Sequence, residues 1–133
     1  MKYLCLICAD TWMEKMPEDE RGRHFDEYRD FTDELRAGGQ LVVAHRLQPP
    51  ETATTVRVRN GRVSTTDGPY AETKEQAGGF YVIEARDLND ALRVASRIPG
   101  ARYGCVEVRP IAEDASTRDA LRIGESTRPH PSL

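Results

Sequence analysis

Tryptophan occurs once, and cysteine and histidine three times each, in a chain of 133 residues. An odd number of cysteines, with Cys5, Cys8 and Cys105 all inside apolar strand-like stretches, reads as small buried hydrophobes in a reducing compartment and argues against a disulfide framework. Cys5 and Cys8 have the two-residue gap of zinc sites, but positions three apart on a strand point to opposite faces, so one ion does not take both. His24, His45 and His130 fall on a helix, a strand end and a tail, with no chelating spacing, so neither a metal nor a cofactor is expected. Positive charge is not in excess. The formal net charge is −3 with a pI near 5.6, which leaves the phosphate attraction behind nucleic-acid binding without a source. No apolar run approaches the ~20 residues of a membrane helix, and Met1-Lys2-Tyr3-Leu4 passes into a strand-like segment without a leader cleavage pattern. A soluble, cytoplasmic protein with no membrane or nucleic-acid partner is expected. A phosphate loop, a nucleophile elbow and a solenoid repeat are also lacking, and Gly78-Gly79 leads into a strand rather than a helix.

What is present suits one folded domain, because about 100–200 residues fill a single core and 38% hydrophobic with 31% charged residues is ample for it. Tyr3–Ala9 is a continuous apolar run that reads as a central strand buried on both faces. Pro17-Glu18-Asp19-Glu20 opens a helix with proline and acids where its N-terminus favours them, and Phe25, Tyr28, Phe31, Thr32 and Leu35 recur at helical spacing up to Gly38-Gly39. Leu41–His45 is a second strand, stopped by Pro49-Pro50. Thr55–Arg59 and Arg62–Thr65 flank Asn60-Gly61, the chemistry of a two-residue primed turn, and predict a hairpin with a wet face. Gly79–Glu84 is a strand, and Asp87 caps a second helix with Leu88, Ala91, Leu92, Ala95 and Ile98 inward, ending at Pro99-Gly100. Tyr103–Val108 is the last core strand. The domain is placed at residues 1–111. The tail, 112–133, has room for one short helix, with Ser116 and Asp119 spaced as a capping box before Ala120, Leu121 and Ile123.

Two strand-helix-strand units with right-handed crossovers predict an α+β fold of ferredoxin-like topology: an antiparallel sheet, two helices on one face and an inserted β-hairpin. Along the central strands both alternating sets are apolar, Tyr3, Cys5 and Ile7 against Leu4, Leu6 and Cys8, and Phe80 and Val82 against Tyr81 and Ile83. A sheet face left to water alternates with polar residues, and a large exposed apolar face marks an interface. A sheet-to-sheet homodimer through the open face, in the manner of a dimeric α/β barrel, is therefore expected. Trp12, after Asp10, is assigned to core or interface packing.

The most distinctive stretch is Thr66-Asp67-Gly68-Pro69-Tyr70-Ala71-Glu72-Thr73-Lys74-Glu75-Gln76-Ala77-Gly78-Gly79. With Leu47-Gln48-Pro49-Pro50, Thr54-Thr55-Val56-Arg57, Arg97-Ile98-Pro99 and Val106-Glu107-Val108-Arg109-Pro110, it resembles the YCII-related family in its DGPF-domain branch, with Tyr70 in place of the phenylalanine. The resemblance covers roughly residues 1–111 and implies a ferredoxin-like dimer with a cleft between sheet and insertion. It implies no particular activity, although related YCII proteins look like small enzymes with a His-Asp pair, the histidine on the first helix and the aspartate after the second. Aligning the helix ends at Gly39 and Pro99 puts Tyr28 at the histidine position and Ile98 or a neighbour at the aspartate position, so the pair is not carried over. His24, one turn before Tyr28, can approach the same helix face. Proteins of the DGPF type are often encoded beside extracytoplasmic-function sigma factors, which makes a sigma-factor association an expected partner.

Read as chemistry alone, Asp67-Gly68-Pro69-Tyr70 is first a turn: aspartate accepts backbone N–H bonds, glycine takes unusual dihedrals and proline fixes φ. The functional alternative aims Asp67 into a cleft as base or ligand-binding carboxylate, beside Tyr70 and near the charges of Glu72, Lys74 and Glu75; a solvated loop explains those charges as well. Three functions follow as expectations. The first is a homodimeric small-molecule-binding or regulatory domain with its cleft at Tyr28, Asp67, Gly68, Pro69 and Tyr70. The second is a hydrolase- or perhydrolase-like enzyme with Asp67 or His24 as acid–base group. The third is an interaction module for a sigma factor.

Overall fold

In the computed structural model, residues 1–9 and 15–121 are described; Asp10, Trp12, Ile123 and His130 lie outside them. The strands are β1 (Lys2–Ala9), β2 (Leu41–Arg46), β3 (Thr54–Arg59), β4 (Arg62–Asp67), β5 (Gln76–Glu84) and β6 (Cys105–Pro110), and the helices α1 (Glu18–Ala37), α2 (Leu88–Ser96) and α3 (Ala115–Leu121). Four strands form an antiparallel sheet in the order β2-β5-β1-β6, and β3 and β4 pair separately. This is an α+β chain with the strand order of a ferredoxin-like fold.

One face of the sheet carries the core. Tyr3 and Cys5 of β1 and Tyr81 and Ile83 of β5 pack with Phe31 and Leu35 of α1 and Ala91, Val94 and Ala95 of α2. Both helices thus cover one side. Burying a side chain of this size stabilises by about 1.5–3 kcal/mol, and the edge-on contact of Phe31 with Tyr81, centroids 5.5 Å apart, adds to it. The buried line on α1 is His24, Phe31 and Leu35, with Tyr28 half-buried between them. Phe25, expected on that line, is exposed.

In α2 the inward side is Ala91, Val94, Ala95 and, just beyond, Ile98, while Leu88 and Leu92 face outward, a correction to the expected stripe. Small residues let the helix lie close to the sheet, and close packing there fixed its rotation. Asp87 caps it as expected, its carboxylate accepting the Asp90 N–H at 2.8 Å. At the start of α3 the acceptor is Asp114, which takes the Thr117 N–H and hydroxyl; Ser116 is not the cap. No residue of α3 is buried.

The hairpin turns at Asn60 (φ 51°) and Gly61 (φ 74°), the two positive values a primed turn requires. The opposite sheet face shows the apolar rows read from the sequence. In register, Val43, Val82 and Leu4 form one row and His45, Phe80 and Leu6 another. In a single chain Leu4, Leu6, Phe80 and Val82 are only partly buried and Val43 and His45 are exposed, so β1 is covered on one face, not both. Cys105 begins β6 on the open side and is exposed, another departure from the buried thiol expected. No helix among the described residues is long and apolar enough to cross a membrane.

Candidate functional site

A cavity of about 600 Å³ opens where the first half of α1 faces the ends of β1, β2 and β5. Helix α1 sends Arg21, Phe25, Tyr28 and Thr32 to its wall, residues spaced 4, 3 and 4 apart and so on one helical stripe. The strands add Ile7, Ala44 and Tyr81, and Pro49, Pro50 and Lys74 close the rim. The apolar body of the site comes from Phe25, Ile7, Ala44 and the prolines.

Its fully charged side chains are all cations. Arg21, Arg46 and Lys74 line it, and among the described residues no aspartate or glutamate does. None of the three cations joins an ion pair among the described residues. Arg46 lies over the Phe25 ring, 5.1 Å from its centroid. The Nε of Arg21 is buried with no hydrogen-bond partner, a state that costs about 1–3 kcal/mol until an acceptor arrives.

The hydroxyls are ordered by what they already bond. Tyr28 Oη accepts the Gly100 N–H at 2.9 Å, and burial pushes its pKa up to about 12, so it keeps a proton to donate. Thr32 Oγ1 donates to the Tyr28 carbonyl at 2.7 Å, which leaves Tyr81 as the donor in the 2.7 Å contact between the two hydroxyls. Burial raises Tyr81 as well. Gly100 is required where it stands, since a Cβ there would lie 2.5 Å from Tyr28 Oη and 2.9 Å from Ile7 Cγ2. Two α1 carboxylates hold the surrounding frame, Glu27 to Arg102 and Glu34 to Arg97.

Of the residues singled out from the sequence as site candidates, Tyr28 lines the cavity, as does Lys74 of the charged run after the turn, while His24, Asp67, Gly68, Pro69 and Tyr70 do not. His24 is 3% exposed and sits behind Tyr28, ring centroids 4.8 Å apart and edge-on, with Tyr103 at 5.6 Å on another side. Burial is the main influence on its pKa and lowers it, which favours the neutral ring. Asp67 ends β4 opposite Thr54 and is exposed. The following turn is tied to the hairpin base: Gly68 donates its N–H to the Ala53 carbonyl at 2.7 Å, and its own carbonyl accepts the Thr55 hydroxyl at 2.8 Å. Gly68 has φ 101°, and Tyr70 is 84% exposed. Asp67, Gly68, Pro69 and Tyr70 therefore do not meet Tyr28 at the cavity, because the separate β3-β4 sheet holds them. Ile98 is a core residue, 1% exposed. Arg21 was within reach of sequence reasoning, since the stripe that carries Phe25, Tyr28 and Thr32 extends back to it; Lys74 was noticed only as a charge beside the Asp67 turn, and Arg46 carried no signal. Among the described residues no group of three or more potential metal ligands converges.

Comparison with known proteins supplies the context. The family model described as the YCII-related domain matches residues 1–114. An uncharacterized protein of Rhizobium meliloti (strain 1021) is 43% identical over 76 residues, which are 56% of this chain. The match spans 61% of that relative's length.

Proposed function

The chain belongs to the YCII-related domain family, and from that premise we propose that its cavity binds a small organic anion, a carboxylate or similar head on an apolar body. One observation carries this reading: Arg21, Arg46 and Lys74 line the same cavity with no described carboxylate among them, and the Arg21 Nε–H is buried without an acceptor. An anion placed there gains charge-assisted hydrogen bonds in a partly desolvated setting, and the Tyr28 proton adds a neutral donor. The apolar wall at Phe25, Ile7 and Pro49 suits a hydrocarbon or aromatic remainder.

Binding rather than acid–base catalysis is the better match to this geometry, since His24 is walled off by Tyr28 and Asp67 stands at the hairpin. The turn Asp67-Gly68-Pro69-Tyr70 supports placing the chain in the DGPF-type branch. The half-exposed rows of Leu4, Leu6, Phe80 and Val82 support a homodimer through the open sheet face.

Calorimetric titration with aromatic and branched aliphatic carboxylates, each beside its primary amide, tests the reading. Carboxylates are expected to bind and amides not. Arg21→Gln is expected to weaken binding by roughly 10- to 100-fold, the range of a lost charged hydrogen bond. Equal affinity for acid and amide, or an unchanged Arg21→Gln variant, removes the proposal.

A further inference from the structure

Cys8 and Cys105 are direct cross-strand partners in the antiparallel pairing of β1 with β6. Antiparallel partners have Cα atoms about 4.5–5.5 Å apart, inside the ~4.4–6.8 Å window that a disulfide bridges without moving backbone. Both thiols are free, Cys105 exposed and Cys8 half-buried, and they are close enough that each alters the other's hold on its proton. Cys5 is fully buried on the helix-covered face, away from both. β6 is an edge strand, held to the sheet only through β1.

We propose that Cys8 and Cys105 are an oxidisable pair, and that an intrachain disulfide between them clips the edge strand β6 to β1. A peroxide is the oxidant class that suits so compact a site. The Cys8 sulfur, as thiolate, attacks one oxygen of hydrogen peroxide; the O–O bond breaks and hydroxide leaves, giving a sulfenic acid. The Cys105 sulfur then attacks the Cys8 sulfur, the S–S bond forms and the S–O bond breaks, and the second hydroxide leaves. The protons released by the two thiols convert both hydroxides to water. In sum, two thiols and one peroxide give one disulfide and two waters, sulfur being oxidised and peroxide oxygen reduced. A dithiol reductant reverses the bond by exchange.

Glu75 decides which sulfur acts first. Its carboxylate accepts the Cys105 S–H at 3.2 Å and pushes that thiol up to about 11, so the Cys105 proton is held. Cys8 is raised too, by burial first and then by the Glu107 and Glu75 charges, with the neighbouring Cys105 thiol working against them, but among the described residues no carboxylate takes its proton directly. Cys8 is thus the attacking sulfur and Cys105 the resolving one. By holding the Cys105 proton, Glu75 acts as a brake on the closing of the disulfide once peroxide is present.

The test uses the full chain, reduced, then exposed to an equimolar dose of hydrogen peroxide, denatured and alkylated, with intact mass and peptide mapping as readout. Of the three cysteines, Cys5 alone is expected to alkylate, with a linked Cys8–Cys105 peptide that dithiothreitol separates and a rate independent of protein concentration. Cys8→Ser and Cys105→Ser are each expected to abolish the link, and Glu75→Gln to quicken it severalfold. Three alkylatable thiols after treatment, disulfide-joined dimers, or sulfinic acid without a link would each overturn the pair. An unaltered rate in Glu75→Gln would overturn the brake.

Discussion

The two faces of one sheet are built from the same residue types and end in different states. On one, Tyr3, Cys5, Tyr81 and Ile83 are sealed under α1 and α2; on the other, Leu4, Leu6, Phe80 and Val82 stay half-open. Apolar content does not separate them; the supply of helices does. Two helices shield one side, so the second apolar side is a surface waiting for a cover.

That contrast can be broken from either side. Ile83→Ala, on the sealed face, is expected to lower unfolding free energy by about 3 kcal/mol, through lost transfer energy and a cavity, a loss of the same size at every protein concentration in chemical denaturation. Leu6→Arg, on the open face, is expected to leave the fold intact and weaken self-association by about 2 kcal/mol, roughly 30-fold, read by sedimentation. A wild-type chain that sediments as a single copy at micromolar concentration would show that the open face needs no partner. Asp87→Ala removes the cap of a helix that does the sealing and is expected to cost about 1 kcal/mol in the same denaturation measurement.

A pH titration sharpens the picture of the sealed side. The buried Tyr28 hydroxyl has a folded value of about 12 against an ordinary 10. A raised acid group contributes stability that is whole below the ordinary value and is lost as pH climbs through the folded one. Stability should therefore decline between pH 10 and 12, and Tyr28→Phe should flatten that limb without abolishing it, since Tyr81 is raised too. An identical limb in the variant would mean that Tyr28 ionises as it does in water.

Much of the fold was legible because local chemistry and global pattern agreed. Asn60-Gly61, the Asp87 cap and Gly39 with φ 73° each did what its residue type prefers. The misreadings share a cause, which is that neighbours distant in sequence decide the outcome. Leu88 and Leu92 looked like core by size, yet the sheet took the smaller side of α2. Cys105 looked buried within an apolar run, yet β6 proved to be an edge. At the site, Tyr28 and its helical stripe could be read from spacing, whereas Arg46 and Lys74 come from separate segments that only the folded sheet brings together. Asp67 drew notice for a turn that serves the hairpin.

The pairing of β1 has a consequence for synthesis. Its partners are β5 and β6, with Lys2 opposite Glu84 and Tyr3 opposite Pro110. β1 leaves the ribosome before either partner, and until β5 arrives its hydrogen-bonding edges and greasy side chains have no native match. Nascent chains stalled before residue 76 should be the species most prone to clump, and the ones a chaperone has most reason to hold.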